Sequence, residues 1–364
     1  MKPGELIQSR YRLIRRLGAG ASGAVWHAKN ELIDRDVALK VMKPEVAEDD
    51  IALQRFFNEA KASGRVRNQS IVEILDLGQA EDGSPFLVFE LLDGEGLDTY
   101  LNREGLMPPE RALELFVGVA RALNLAHTQG VIHRDLKPAN IFIHRTLTGE
   151  RVAKILDFGI SRVSDTGHNF SLTRTGMVVG SPAYMSPEQA SGREDLDGRA
   201  DVWSLGVVLF ECLTGTLPHE AANYNALMVR ILTQDVDPVM TRKVDLPANF
   251  CAIVDSCLKR EREQRTPNAE MVAAQMEAVL RELRAVRFRA AGRRASDRVQ
   301  GPFRRRASDF QPPAENTLTP ATPATPVVAP SRLPRKRVMF LAAVIGVFVG
   351  LIAVVVGMVL MRRQ

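Results

Sequence analysis

The stretch that decides the fold is HRDLKPAN, residues 133–140, followed further along the chain by DFG, residues 157–159. Two short apolar runs lie between these motifs, at residues 141–143 and 152–156, and they predict a pair of strands. The two motifs therefore bring three oxygen-bearing side chains and two cations into a small space. Packing alone does not explain so many polar groups there.

The polar side chains of these motifs suit metal and proton chemistry. Asn140 and Asp157 offer hard oxygen ligands of the kind that Mg²⁺ prefers. Asp135 can accept a hydroxyl proton, and Lys137 can offset the charge on a moving phosphoryl group. A chance loop of charged residues is the alternative, and this combination of groups argues against it.

A glycine-rich run, LGAGASGAV, occupies residues 17–25. Glycines at this spacing let backbone N–H groups approach phosphate oxygens, because no Cβ stands in the way. Taken alone, the run also fits an ordinary turn between strands. It is not a Walker loop, because no Gly-Lys-Ser/Thr ends it.

Lys40 follows this run by fifteen residues, in the alternating segment 36–41. Strand alternation places Ala38 and Lys40 on one face, where Lys40 could pair with phosphate oxygens. An ordinary solvent-facing lysine is the alternative. The next predicted helix carries Glu59 on one stripe with Phe56, Ala60 and Ser63. A buried Glu59 needs a cation, and Lys40 is its predicted partner.

The rest of the folded part divides into strands and then helices. The first 95 residues are predicted to be rich in strands, including residues 85–90. Helices dominate after Pro108, and a further apolar helix starts near Asp201. The helix predicted directly after Pro108 has apolar residues at helical spacing and ends before Gly130. These residues are Leu113, Phe116, Val117, Ala120 and Leu123. This pattern predicts an α+β fold with a small sheet lobe and a larger helical lobe.

Because these motifs occur in this order and at these gaps, residues 11–283 closely resemble the protein kinase family, in particular the eukaryote-like (Hanks-type) serine/threonine kinases of bacteria. The resemblance implies a two-lobed kinase fold with the N-lobe at 11–92 and the C-lobe at 93–283, after an N-terminal extension at 1–10. It also implies ATP-dependent transfer of phosphate to Ser/Thr hydroxyls of proteins, including autophosphorylation, with Mg²⁺ or Mn²⁺.

The resemblance also assigns roles to single residues. Asp135 becomes the catalytic base beside Lys137, and Lys40 holds the ATP phosphates while it pairs with Glu59. The implied metal ligands are Asn140 and Asp157. The implied ATP-binding residues are Leu17, Gly18, Ala19, Gly20, Ala21, Ser22, Gly23, Val25, Ala38, Lys40, Phe89, Glu90 and Leu92. Within this set, Phe89 is the gatekeeper and Glu90 to Leu92 form the adenine-binding hinge.

Residues 157–188 resemble an activation loop that closes on GSPAYMSPE, where Ser186 replaces the usual Ala of Ala-Pro-Glu. Thr173 and Thr175 match the threonines that bacterial relatives phosphorylate, and Arg134 is the implied receiver of that phosphate. A solvated loop is the alternative for the two threonines.

Two further residue roles follow from the resemblance and concern the frame of the site. Glu188 is expected to pair with Arg265 near the end of the fold. Asp201 is expected to brace the backbone of the catalytic loop.

The charge of the chain is divided unevenly. The net charge is +5, but residues 281–364 carry 16 Lys/Arg and four Asp/Glu, which leaves −7 for residues 1–280. The basic character belongs to the tail, so a nucleic-acid partner for the whole chain loses its main support. The three cysteines have no framework spacing, which favours a reducing compartment.

The sequence of the C-terminal part predicts a tether. Residues 284–337 are basic and contain Thr-Pro steps at Thr319, Thr322 and Thr325, which predicts a disordered linker. Residues 338–361 form an uncharged apolar run long enough to cross a bilayer, and residues 362–364 form a short tail. Four flanking cations on the near side against two on the far side favour a cytoplasmic kinase domain at the bacterial inner membrane.

The tail contains two further patterns. The pentapeptide RRASD occurs twice, with Ser296 and Ser308 in a basic phosphoacceptor context that could also bind anionic lipid. A GxxxG step at residues 346–350 could pair two apolar helices in a homodimer. A solvated basic linker and the ordinary frequency of glycine in such helices are the alternatives.

Two classes of function remain open at this point. The chain is either an active membrane-anchored kinase with protein substrates or a catalytically silent pseudokinase that acts as a scaffold or nucleotide sensor. Lys40, Asp135, Asn140 and Asp157 are all present, which favours catalysis.

Overall fold

Two lobes follow one another along the chain, first a sheet lobe and then a helical lobe. The computed structural model describes residues 1–20, 23–43, 50–157, 181–243 and 245–299. The predicted α+β, two-lobed architecture is confirmed.

The sheet lobe contains a six-stranded antiparallel sheet in the order β1-β2-β3-β4-β6-β5. Its strands are β1 (Leu6–Ile7), β2 (Tyr11–Gly20), β3 (Gly23–Asn30), β4 (Arg35–Met42), β5 (Ile74–Gln79) and β6 (Pro85–Glu90). In β4, Val37 and Leu39 pack in one apolar cluster, whereas Ala38 packs in the other. The predicted two-faced strand is therefore present, with Ala38 and Lys40 on the same face.

One helix, α1 (Asp50–Arg65), connects β4 to β5. Phe56, Ala60 and Ser63 on its inner face are buried, as their helical spacing predicts. Phe56 and Ala60 share an apolar cluster with Phe89 of the sheet. Glu59 on the same face is partly buried, so α1 directs a carboxylate towards the cleft side of the sheet.

The helical lobe begins with a small sheet and continues with helices that enclose the larger core. Its elements are β7 (Gly94–Gly96), α2 (Leu97–Glu104), α3 (Pro109–Thr128), β8 (Ile141–Arg145), β9 (Arg151–Ile155), α4 (Pro187–Ala190), α5 (Arg199–Thr214), α6 (Tyr224–Thr233), α7 (Val239–Arg242), α8 (Ala248–Cys257) and α9 (Ala269–Val299). The predicted strand pair is β8 and β9, which pair antiparallel. Helix α5 is buried along most of its length, and its central residues 202–210 are almost all apolar, as expected of a helix that packs on more than one side.

Backbone hydrogen bonds join the two lobes behind the cleft. Ile155 N in β9 donates to Ser70 O at 2.8 Å, and Val72 N donates back to Ile155 O at 3.0 Å. The segment that follows α1 is therefore tied to the strand that leads to Asp157. The connection between the lobes therefore lies two residues before the predicted metal ligand Asp157.

Helix α9 is longer than the sequence predicts. The kinase domain was expected to end at Leu283 and a disordered linker to follow, but residues 284–299 continue the helix. Arg284 contacts Glu114 at 2.8 Å and Arg287 contacts Glu110 at 3.1 Å, both in α3. These acidic partners lie far away in the sequence, so local composition gave no sign of them.

The predicted segments beyond residue 299 lie outside the described residues, including the rest of the linker, the apolar run 338–361 and the tail. Within the part that is described, no helix combines the length and the apolar character needed to cross a membrane. The three cysteines, Cys212, Cys251 and Cys257, are free thiols buried in the helical lobe.

Candidate active site

The catalytic-loop residues that the sequence singles out lie together. Lys137 Nζ contacts Asp135 Oδ2 at 2.7 Å, and Asn140 Nδ2 contacts the same oxygen at 3.1 Å. Asn140 Nδ2 also donates to the backbone oxygen of Asp135 at 2.7 Å. The side chains can meet because a single 3₁₀ turn, Pro138–Asn140, folds the chain back before β8. Asp135 is thus an oriented, partly exposed carboxylate beside a cation.

The backbone of this loop is braced by Asp201, as predicted. Asp201 Oδ2 accepts from His133 N and Oδ1 accepts from Arg134 N, each at 2.8 Å. His127 Nε2 lies 2.7 Å from Oδ2. Burial favours the neutral acid, but the hydrogen bonds and nearby histidines outweigh it and lower the pKa of Asp201. An ionised, fully buried carboxylate therefore fixes the loop.

Among the residues that the structure describes, Lys40 forms no ion pair with Glu59, in contrast to the sequence-based expectation. Lys40 Nζ instead contacts Asp157 Oδ2 at 2.7 Å. Asp157 has a φ of 51°, in the left-handed region, which turns the chain directly after β9. Strand and helix periodicity fix the faces of Lys40 and Glu59, but they do not determine which carboxylate comes within reach of the ammonium group.

The predicted phosphate-binding turn lies where β2 passes into β3. Gly18 pairs with Val25, Ala19 with Ala24 and Gly20 with Gly23 across the two strands. Gly23 has a φ of 153°, and a Cβ there would lie 2.0 Å from Val41 O, so only glycine fits. The other two predicted residues of the turn, Ala21 and Ser22, lie outside the described residues. Leu17 is exposed at the end of β2.

The predicted adenine-site residues lie close together on the cleft side of the sheet. Ala38 and Phe89 are register partners in β4 and β6, and they share an apolar cluster with Leu92. The Glu90 side chain does not join this apolar cluster but forms polar contacts. Its Oε1 contacts Lys154 Nζ at 2.6 Å and accepts from Glu73 N at 2.9 Å, so it ties the predicted hinge to β9.

The two predicted metal ligands are brought to adjacent positions. Leu156 N donates to Asn140 O at 2.8 Å, which places the residue before Asp157 beside Asn140. Because Asn140 directs its Nδ2 towards Asp135, its amide oxygen is left for another partner. Together with the half-buried Asp157 carboxylate, this gives two hard oxygen donors, a set that fits Mg²⁺.

The predicted pair of Glu188 and Arg265 is present and doubly hydrogen-bonded. Arg265 Nη1 lies 2.7 Å from Glu188 Oε1, and Nη2 lies 3.0 Å from Oε2. The guanidinium group also lies over the ring of Trp203. Both side chains are buried, so the pair anchors α4 to the core of the helical lobe. The predicted phosphoacceptors Thr173 and Thr175 lie outside the described residues.

Sequence reasoning missed three side chains that hold the site in place. His127 reaches Asp201 from α3, Lys154 holds Glu90, and Gln189 Nε2 donates to Arg134 O at 2.7 Å. Only Gln189 left a local signal, since Ser186 and Gln189 have the spacing of a capping box. The other two contacts join residues more than sixty positions apart in the chain.

Comparison with known proteins supports this interpretation of the site. The family model for the protein kinase domain matches residues 11–276. The serine/threonine-protein kinase pkn3 of Myxococcus xanthus is 36% identical over 310 residues, which are 84% of this chain and 56% of that protein. PknB of Mycobacterium tuberculosis is 37% identical over 274 residues, which are 74% of this chain and 43% of that protein. The chain thus spans about half the length of these curated relatives.

Among solved structures, the PknI kinase domain of Mycobacterium tuberculosis superimposes with a TM-score of 0.59. The match has 24% sequence identity and covers 76% of this chain and 99% of that one, and it shows the shared fold. Since the family model covers most of the chain and the predicted motifs meet in one site, the chain belongs to the protein kinase family.

Proposed function

We propose that this chain is an ATP-dependent protein serine/threonine kinase. The observation that carries the proposal is the oriented Asp135 carboxylate, held by Lys137 and Asn140 on a loop braced from beneath by Asp201. The relatives named above are serine/threonine-protein kinases, which supports Ser/Thr as the acceptor. All the residues that a silent pseudokinase would be expected to lack are present.

The residues of the site divide the work of phosphoryl transfer. Asp135 would orient the acceptor hydroxyl and take up its proton as the new O–P bond forms. Lys137, which contacts Asp135, would stabilise the negative charge that spreads over the phosphoryl oxygens. The backbone of the turn between β2 and β3 would cover the nucleotide phosphates, and Ala38 with Phe89 would line the adenine site.

Asn140 and Asp157 would hold the divalent cation through their side-chain oxygens. A bound Mg²⁺ supplies charge neutralisation at the phosphates, and Mn²⁺ accepts the same kind of ligands. Asp157 contacts Lys40 through Oδ2, so a bound cation would share this carboxylate with the Lys40 ammonium group.

The test is phosphate transfer by the full chain from [γ-³²P]ATP to casein, with identification of the labelled amino acid. Asp135→Asn should lower the turnover at least about a hundredfold, because it removes the proton acceptor. Asp34→Asn, at an exposed turn, is the matched control and should keep wild-type turnover. A folded wild-type chain that transfers no phosphate would instead support the scaffold function.

We also propose that residues 338–361 anchor the chain in the bacterial inner membrane, with the kinase domain in the cytoplasm. The uncharged apolar run and the excess of flanking cations on its N-terminal side support this. Carbonate extraction followed by protease protection of membrane vesicles tests it. Release of the chain by carbonate would contradict anchoring.

Autophosphorylation at Thr173 and Thr175 is a further part of the proposal. Mass spectrometry of the wild-type chain should find phosphate on at least one of these threonines, and the Asp135→Asn variant expressed alone should lack it. Phosphate on both threonines of that variant would assign the modification to another kinase.

A further inference from the structure

The peptide unit between Arg134 and Asp135 is held from outside the catalytic loop. Gln189, the third residue of α4, donates its side-chain Nε2 to Arg134 O at 2.7 Å. The Oε1 of the same amide accepts from Ser186 N at 3.0 Å. One side chain therefore connects the segment that enters α4 with the carbonyl group directly before the proposed base.

This peptide unit needs such support. Arg134 has a φ of 67°, a conformation that non-glycine residues adopt only when their surroundings hold them there. Arg134 N donates to Asp201, and Asp135 N donates to His133 Nδ1 at 3.3 Å. These bonds hold the N–H groups of both residues, and Gln189 holds the carbonyl oxygen of the unit. A rotation of this peptide plane would redirect the Asp135 side chain.

The position of Gln189 is itself well fixed. Its backbone N donates to Ser186 Oγ at 3.3 Å, which completes a capping box at the start of α4. The neighbouring Glu188 is clamped by Arg265 in the core. The amide of Gln189 is therefore presented to the catalytic loop from a rigid support, so its hydrogen bond requires little further ordering.

We propose that Gln189 is a positioning residue for phosphoryl transfer, whose Nε2–H sets the Arg134–Asp135 peptide plane and through it the direction of the Asp135 carboxylate. This inference rests on the proposed kinase function and adds a residue to it. Capping of α4 and positioning of the loop use different atoms of Gln189. The cap uses Oε1 and the backbone N–H, whereas positioning uses Nε2.

The Gln189→Glu variant separates these two roles. A glutamate keeps the shape and the acceptor for Ser186 N, but it places an anionic oxygen against Arg134 O. We expect the kcat of the full chain to fall about tenfold to a hundredfold at pH 8, because small misplacements of a reacting group have effects of this size. The KM for ATP should stay within about twofold, because the proposed nucleotide contacts lie on the sheet lobe.

The pH profile gives the readout that a purely structural role would not move. When the carboxyl group introduced by Gln189→Glu is protonated, its O–H can again donate to Arg134 O. The loss of kcat relative to the wild type should therefore be severalfold smaller at pH 5.5 than at pH 8. Gln189→Ala should show the same loss of kcat at both pH values. Gln234→Glu, the same change at an exposed position after α6, should follow the wild type at every pH.

Two results would overturn the inference. One is a folded Gln189→Glu variant with wild-type kcat at pH 8, and the other is a deficit equal in the Glu and Ala variants at both pH values. If the wild-type chain transfers no phosphate, the proposed function fails and amide hydrogen exchange decides about Gln189. Exchange in residues 131–137 should then rise about fivefold or more in Gln189→Ala but not in Gln234→Glu, and unchanged exchange would reject the inference.

Discussion

His219 is a buried histidine that the proposed chemistry does not use. Its ring stacks on Trp203, and its Nε2 has no hydrogen-bond partner among the residues that the structure describes. Burial, helped by the charge of Arg230, lowers the pKa of His219 below its ordinary value of 6.5. At neutral pH the His219 ring is therefore uncharged in the folded state.

The pH dependence of stability should show this effect. Between the lowered pKa and 6.5 the unfolded chain binds more protons than the folded one, so the free energy of unfolding falls as the pH falls. His219→Phe removes this contribution and should flatten the acid side of the stability curve. Urea titrations at pH 7.5 and at pH 5 measure it. If the free energy of unfolding falls by the same amount in the variant and the wild type between these pH values, the prediction is wrong.

At the scale of residues, the sequence predicted which groups form the site better than it predicted their partners. Asp135, Lys137 and Asn140 are neighbours in the chain, so one turn was enough to bring them together. Lys40 could have met either of two carboxylates, because strand and helix periodicity fix directions and not distances. Gln189 contacts the catalytic loop across 55 positions, and its local capping-box spacing does not reveal that contact.

Among the elements, helix α3 packs closely against the segment after α1. A Cβ at Gly118 would lie 2.6 Å from Ser70 Oγ, and this buried hydroxyl has no hydrogen-bond partner among the described residues. Gly118→Ala should destabilise the fold by about 1–3 kcal/mol despite the better helix propensity of alanine. Ser70→Ala alone should be neutral or stabilising, because it removes an unsatisfied polar group.

The double variant tests the contact directly. In the Ser70→Ala background the oxygen is gone and a Cβ at Gly118 meets only Ser70 Cβ, at an ordinary 3.7 Å. Gly118→Ala should then be neutral or stabilising by up to about 1 kcal/mol. A double-mutant cycle from urea unfolding measures the coupling. Additive effects would show that the two positions do not touch in solution.

The extension of α9 gives a second prediction at the scale of elements. Ala285 is exposed and lies after the predicted end of the domain. Ala285→Pro should unwind the helix beyond it and break the contact of Arg287 with Glu110, since proline removes a helical N–H and clashes with the preceding turn. The ellipticity at 222 nm should fall, while Ala285→Gln should leave it unchanged. Unaltered ellipticity in the proline variant would contradict a helical extension.

Elements with a strong periodic signal were predictable, and elements stabilised by distant partners were not. The strand β4 and the helix α3 were predictable from the periodic spacing of their apolar residues, and α5 was predictable from its unbroken apolar run. The end of α9 depends on Glu110 and Glu114 of another helix, so its composition suggested a linker. The order of strands and helices along the chain could be predicted without knowledge of these long-range contacts.

At the scale of the whole molecule, the two lobes are coupled through a few connections that the sequence could not locate. Lys154 of β9 contacts Glu90 at the end of β6, and Lys40 of β4 contacts Asp157. Both contacts cross from one lobe to the other. The fold class was predictable from the order of the motifs, but the relative setting of the lobes depends on ion pairs between residues at least 64 positions apart.

The burial of all three thiols in one lobe offers a native reporter of that lobe's opening. Burial raises the pKa of Cys257 to about 12 and also raises the pKa of Cys212, so neither presents a thiolate to solvent. In native conditions, iodoacetamide should therefore alkylate the chain only as fast as the helical core transiently opens, and urea should accelerate the reaction steeply. Rapid modification of the folded chain, independent of urea, would show that this core is not closed.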